Sequence, residues 1–487
     1  MVRGLLAAVG ATLGVLWSLS SPSAAAGAPG MVVGAVEDHL RSSSLVEAEA
    51  KMQVLRLSGF RAVRVTSYWT PGLSRPDEGE LATLDNVASA AARNGVRVYV
   101  TVMHPGSRTS PLTDEARGEF ASYAATIVRE IPAVRDVIVA NEPNLNRFWL
   151  PQFGPDGSSA APGAYLQLLA TTYDALKAVS PAVRVHGGAV SPRGTDRPDG
   201  IRPTHSPTTF IRALGAAYRS SARALPVMDS FAIHVYGDHS SQPPSTPHST
   251  GTSIGIADYE KLVALLGEAF DGTAQRGSTL PILYGEYGVE SQIPAAKAPL
   301  YTGIEPASTR PVPEDTQAAY YEEALELAYC QPNVQGFLVF LTRDERALAT
   351  WQSGVYYADG TPKTSLPRVT GALDRTAGGS IARCPGLRLV VRPTFLRFGT
   401  RAAARRGVFG LSLRCNLDCV YRVRLENAVT GATRLSRRGR AVAGETVAID
   451  LGSRALGSGR YRYTLRLVHP VNPAPPTVRV GPAWRLP

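Results

Sequence analysis

Apolar and polar positions along the chain alternate between two periods. Short runs rich in branched apolar residues recur at 31–36, 62–66, 96–102, 137–140, 183–188, 229–236, 281–288 and 334–341. Each reads as a strand buried on both faces. Stretches of helical spacing separate them at 47–58, 81–94, 113–130, 164–179, 208–220, 256–270 and 313–329, with 361–384 serving as a last helix and linker. Eight such alternations over about 350 residues predict an α/β fold, a (β/α)8 TIM barrel ringed by helices, over residues 27–384. An open doubly wound sheet is the alternative. It normally brings a glycine-rich phosphate turn after an early strand, and the chain has neither G-x-G-x-x-G nor a P-loop. From 385 to 487 the period becomes two, as in 421–425 and 461–467, and a small all-β sandwich domain of about one hundred residues is expected.

Composition adds a location. At 487 residues with 44% hydrophobic and 19% charged positions, the chain falls among globular proteins. Residues 1–26 carry Arg3, an apolar run over 4–19 and Ala24-Ala25-Ala26. That is the pattern of a secretory signal peptide, so the protein is expected to be secreted, extracellular or cell-wall associated, with no stable membrane insertion after cleavage; an uncleaved membrane anchor is the alternative. In an exported protein four cysteines suggest disulfides: Cys330 and Cys384 bracket the end of the large domain, and Cys415 and Cys419 are spaced C-x3-C. A four-cysteine zinc site is the alternative.

Charge separates the two domains. The net charge is +11, and from residue 385 onward nineteen arginines face four acids, while the remainder is slightly acidic. The arginines are dispersed through alternating strands and do not cluster with aromatics, which argues against nucleic acid. A basic module of this kind fits an acidic cell-wall polymer or polysaccharide, or reflects an arginine-rich composition. A monomer is expected.

The chemistry sits at strand ends. One strand closes in Ala140-Asn141-Glu142-Pro143-Asn144, where the proline biases Glu142 towards extended backbone and presents it at a rim. Another closes in Tyr284-Gly285-Glu286-Tyr287-Gly288. The C-terminal tips of barrel strands share one face, so His104, Asn141, Glu142, His234, Tyr236 and Glu286 are expected to meet there, with Arg64 inside its strand. Two carboxylates in one cleft are what glycoside hydrolysis needs: one protonated to assist the leaving oxygen, one ionised to attack carbon or activate water.

These motifs resemble the clan A retaining glycoside hydrolases, the cellulase-like family 5 with family 39 as a neighbour, over residues 31–370. The resemblance implies Glu142 as general acid/base, Glu286 as nucleophile and Asn141 as partner of the sugar 2-hydroxyl. It implies that Arg64 braces the nucleophile, that Tyr236 bonds it, that His234 lines the acid/base, and that His104 supports substrate. The pattern breaks at the eighth strand, where the family's platform tryptophan is replaced by Phe340-Leu341-Thr342-Arg343. Either Phe340 or Trp351 then supplies the platform, or the platform is altered and the substrate with it. Trp69 and Trp149 either offer faces to sugar rings or pack within their loops.

The expected reaction is a double displacement on a β-linked oligo- or polysaccharide, with the carboxyl groups about 5 to 5.5 Å apart and no metal or organic cofactor. A catalytically silent carbohydrate-binding protein on the same scaffold is the alternative. The sugar, the linkage and endo or exo action depend on the long loops 144–163, 193–206 and 238–253.

Overall fold

A computed structural model describes residues 30–248, 250–377, 390–453, 456–470 and 474–486. The expected leader and Cys384 lie outside the described residues. Eight strands form a closed barrel in sequence order: β1 (Val32–Val36), β2 (Ala62–Tyr68), β3 (Arg97–Met103), β4 (Asp136–Val139), β5 (Arg184–Val190), β6 (Ser230–His234), β7 (Ile282–Tyr287) and β8 (Val334–Phe340). All neighbours pair parallel, and β8 returns to β1 with Phe337 opposite Val33. The helices are α1 (Leu45–Leu57), α2 (Glu78–Asn94), α3 (Asp114–Glu130), α4 (Ala161–Val179), α5 (Pro207–Ser220), α6 (Tyr259–Phe270), α7 (Glu314–Tyr329) and α8 (Leu366–Ala377). The expected barrel is therefore present.

The strands read as continuous apolar runs because each is covered twice. One residue from every strand, Val36, Ala62, Tyr99, Ile138, Ala189, Ala232, Leu283 and Leu338, packs into a common cluster inside the barrel. Alternate positions such as Val63, Val65, Val100 and Val137 join the layer beneath the helices. Caps set the helix starts: Ser44, Asp77, Thr113 and Ser206 each accept from a first-turn N–H. Gly95 closes α2 at φ 62°, where a side chain would be strained.

The end opposite the strand tips is held by a buried ion cluster. Asp136, 1% exposed, accepts paired hydrogen bonds from Arg97 and Arg184 and a third contact from His186 at 3.0 Å. These donors hold its carboxyl below the usual range despite burial.

Beyond residue 390 come β9 (Pro393–Phe398), the single turn α9 (Arg401–Arg405), β10 (Val408–Cys415), β11 (Cys419–Asn427), β12 (Thr433–Ala441), β13 (Val447–Ser453), β14 (Gly459–Val468), β15 (Thr477–Val480) and β16 (Trp484–Leu486). They make two antiparallel sheets, β13-β10-β9 and β12-β11-β14-β15 with β16 on β14. Tyr421, Val423, Leu425, Tyr463 and Leu465 from the larger sheet and Phe409, Leu411 and Leu413 from the smaller supply buried core. The expected Cys415–Cys419 bridge is not formed: the sulfurs are 3.0 Å apart, beyond the roughly 2.05 Å of a disulfide, and both are buried thiols. Cys415 lies at a register break opposite Pro393, which turns it out of regular pairing with β9. Cys330 caps the end of α7. Among the described residues no helix is long and apolar enough to cross a membrane.

Candidate active site

Arg64 projects from the middle of β2 and is 3% exposed. Its Nε donates to Thr101 Oγ1 at 2.7 Å, Nη2 to Asn141 Oδ1 at 3.1 Å, and Nη1 to Glu286 Oε1 at 2.8 Å. One guanidinium thus links β2, β3, the loop after β4, and β7. Because arginine only donates, the Asn141 oxygen is the atom facing it, and the Asn141 amide N–H groups are left to donate elsewhere.

Glu286, the penultimate residue of β7, gathers donors on both oxygens. Tyr236 OH donates to Oε2 at 2.9 Å, and His234 Nδ1 lies 3.4 Å from the same oxygen. Burial and the adjacent Glu286 push the Tyr236 phenol well above its usual range, so it stays a neutral donor. Glu142 has one such partner, His234 Nδ1 at 2.8 Å from Oε1. The fully buried imidazole therefore spans the two carboxylates, and donor atoms of Glu142, His234 and Glu286 all lie within 4.8 Å of one another. That trio is also a three-donor set for a cation. Arg64 donates to one oxygen of Glu286 and Tyr236 to the other, so an ion bound there would share its Glu286 oxygen with one of these donors.

The backbone at this rim departs from the extended geometry expected of Glu142. Its φ is 39°, and Ala140 and Ala189 have φ of 64° and 46°. The cause is a cross-strand bond: Glu142 N–H donates to Ala189 O at 2.8 Å, turning the chain towards β5 against the bias of Pro143. Left-handed backbone at such residues costs about 1–3 kcal/mol each and persists only where surroundings enforce it. Asn144, fully buried, is part of that enforcement. Its Oδ1 accepts from Ser191 N–H at 2.8 Å and its Nδ2 donates to His205 O at 3.0 Å, binding the β4 loop to the β5 loop.

The aromatics sort into two groups. Trp351, half-buried in the loop after β8, stacks on Tyr236 with centroids 4.9 Å apart and 29° between planes. Phe340 meets Trp351 edge-on at 5.1 Å. Trp69 and Trp149 are 0% exposed. Trp69 donates its indole N–H to Leu73 O at 2.8 Å and packs on Phe120, so of its two expected roles it takes loop packing, with both ring faces inside the protein. His104 is 2% exposed, donates Nδ1–H to Gly106 O at 2.7 Å and packs against Trp149. Burial lowers its pKa, which leaves it neutral and in support of the β3 loop.

A second polar group, unforeseen in the sequence, underlies Trp351. Lys363 Nζ, fully buried, donates to Asp344 Oδ1 at 2.8 Å, Ser291 Oγ at 2.8 Å and Gln352 O at 3.0 Å. Glu290 accepts from Gln352 N–H at 3.2 Å, and Tyr301 OH donates to Asp344 Oδ2 at 2.7 Å. Glu37, at the tip of β1, accepts from Thr342 N–H and Oγ1 at 2.7 and 2.6 Å. The loop carrying Trp351 is thereby fixed from both sides. Residues 290, 344 and 363 share no spacing that links them in sequence.

No protein-family model matches the chain, and no curated protein matches it. Among solved structures it is similar to a calcium-binding mutant of Bacteroides uniformis beta-glucuronidase 2, at 12% identity and a TM-score of 0.43, over 94% of this chain and 45% of that one. This chain thus spans less than half the length of that protein. It is also similar to the GH39 enzyme from Xanthomonas axonopodis pv. citri, at 16% identity and a TM-score of 0.45, over 88% of this chain and 93% of that one. A GH5_18 variant from Streptomyces cattleya in complex with Manb1-4GlcNAc is similar over 71% of this chain and 80% of that one, at 15% identity and a TM-score of 0.47.

Proposed function

We propose that the protein is a glycoside hydrolase that cleaves β-linked sugars with retention, Glu286 acting as nucleophile and Glu142 as general acid/base. The observation that carries this reading is the carboxylate pair, with an oxygen of Glu142 and an oxygen of Glu286 within 4.8 Å. Retaining enzymes place their carboxyl groups about 5–5.5 Å apart, and inverting enzymes leave about 6.5–9.5 Å for a water.

The surroundings divide the roles. Glu286 faces a guanidinium, a phenol and an imidazole, a donor set suited to an anion that attacks carbon and later leaves it. Glu142 is more exposed and has one donor, so it is placed to pass a proton between the cleft and the glycosidic oxygen. In the first step Glu286 bonds to the anomeric carbon as the glycosidic C–O bond breaks, and the Glu142 proton goes to the leaving oxygen. In the second, Glu142 takes a proton from water, whose oxygen displaces Glu286. Asn141 N–H groups donate to a hydroxyl of the bound sugar, and Trp351 offers a ring face at the cleft.

Turnover of a panel of aryl β-glycosides tests the reading. Wild-type protein is expected to hydrolyse at least one member and Glu286→Gln to abolish it. Glu142→Gln is expected to retain its first step on substrates with activated leaving groups. No turnover by wild type, or undiminished turnover by Glu286→Gln, contradicts the proposal. An exported location belongs to the same reading and rests on residues 1–26. Intact mass of protein recovered outside the cell checks cleavage near Ala26.

A further inference from the structure

The outward face of the larger sheet of the β domain carries an arrangement that its own stability does not explain. Along β11, Tyr421, Val423 and Leu425 turn inward and are buried, so Arg422 and Arg424 turn outward. On β14, Tyr463, Leu465 and Leu467 are buried and Arg462 and Arg466 face out. The register sets Arg422 directly opposite Arg438 of β12 on one side and Arg466 of β14 on the other. Three exposed arginines therefore form one row across three strands, spaced about 4.8 Å from strand to strand. Arg424, about 7 Å along β11, and Arg440, opposite Val420, extend it.

Like charges directly opposite one another destabilise a sheet. The five strands contain a single acid, Glu426, which is 8% exposed and lies 3.8 Å from Arg424 and 3.9 Å from Arg462. No hydrogen bond or ion pair to a described residue engages the side chains of Arg422, Arg438 or Arg466. Among the described residues of the domain, the row is left uncompensated.

We propose that this face binds a linear carboxylated polysaccharide, a polyuronate, whose carboxylates lie across the arginine row. Guanidinium forks pair bidentately with carboxylates. An extended, untunnelled sheet face suits an extended polymer. No aromatic side chain stands on the outward face of β11, β12 or β14, so the platform on which single-stranded nucleic acid stacks is missing. The preference for a glycan over a phosphate polymer rests on reading the barrel as a glycosidase. Binding and not turnover is measured, so loss of binding is distinct from failure of that reading.

The experiment is affinity electrophoresis of the full chain through gels containing polygalacturonate, dextran, polyphosphate or duplex DNA, at low and high salt. Polygalacturonate is expected to retard wild type strongly at about 50 mM salt and weakly at about 500 mM, and dextran not at all. The triple variant R422Q/R438Q/R466Q is expected to lose at least about tenfold in affinity, with a melting temperature equal to or above wild type. A triple variant on the barrel surface, R75Q/R129Q/R276Q, removes the same charge and is expected to bind as wild type. If the sheet triple does not fold, R422E alone is expected to weaken retardation several-fold. Retention of affinity in the sheet variants, equal loss in the barrel variant, or tighter binding of DNA or polyphosphate than of polygalacturonate overturns the proposal.

Discussion

Tyr236 lies face to face with Trp351 at 4.9 Å while its hydroxyl donates to Glu286 at 2.9 Å, so one ring joins the cleft wall to the proposed nucleophile. Removing either end has a separable effect. Trp351→Ala forfeits a stacking contact worth about 0.5–1.5 kcal/mol, and kcat/KM on an aryl glycoside is expected to fall about 3- to 10-fold, chiefly through KM. Trp351→Phe restores most of it. Tyr236→Phe keeps the stack and removes the hydrogen bond, so its loss is expected in kcat. Steady-state kinetics of the three variants check the split.

Arg64 is the member whose loss reaches furthest. Arg64→Met leaves Thr101, Asn141 and Glu286 without a shared donor and strips a buried carboxylate of its cation. Breaking a buried pair from one side costs about 3–5 kcal/mol. Both melting temperature and kcat are expected to drop sharply. Arg64→Lys recovers charge but cannot reach three partners, and it is expected to restore stability more than rate.

Glu290 predicts a pH dependence of stability. Burial, with Glu305 and Asp344 nearby, raises its carboxyl to about 7 from the usual 4.5. The folded state therefore binds the extra proton between those values, and the associated stability is complete below about 4.5 and lost as pH rises through about 7. The span corresponds to a loss on the order of 3 kcal/mol. Melting temperature is expected to fall from pH 5 to pH 8, and Glu290→Gln, which mimics the protonated acid, is expected to flatten that slope.

Asp136 separates stability from activity. Asp136→Ala leaves Arg97, Arg184 and His186 facing one another at the end of the barrel away from Glu142. A destabilisation of about 3–5 kcal/mol is expected, with kcat/KM at 25 °C within about twofold of wild type. Denaturant melts and initial rates measure the two.

The barrel was legible because its strands are covered on both faces. In Arg97–Met103, Val98, Val100 and Val102 pack under helices while Tyr99 and Thr101 turn inward, so no polar alternation interrupts the run. Glu142 and Glu286 stood out as acids ending such runs, and the structure brings them together with Arg64, His234 and Tyr236. Of the two readings open for Trp69, packing within its loop is the one present, because the loop folds inward and Leu73 O satisfies the indole, a contact that neither residue signals alone. Lys363, Asp344 and Glu290 were missed because their meeting depends on loop paths. Asn144 was in view, but its role lies in which carbonyls of the β5 loop it reaches.

The central claim is that Glu286 forms the covalent intermediate. Incubation with a 2-fluoro-β-glycoside carrying an activated leaving group, followed by peptide mass mapping, tests it directly. The account predicts one glycosyl adduct per chain, on Glu286 within Ile282–Tyr287. An adduct on Glu142, or turnover of the parent glycoside with the fluorosugar leaving no adduct and the opposite anomer released first, contradicts it.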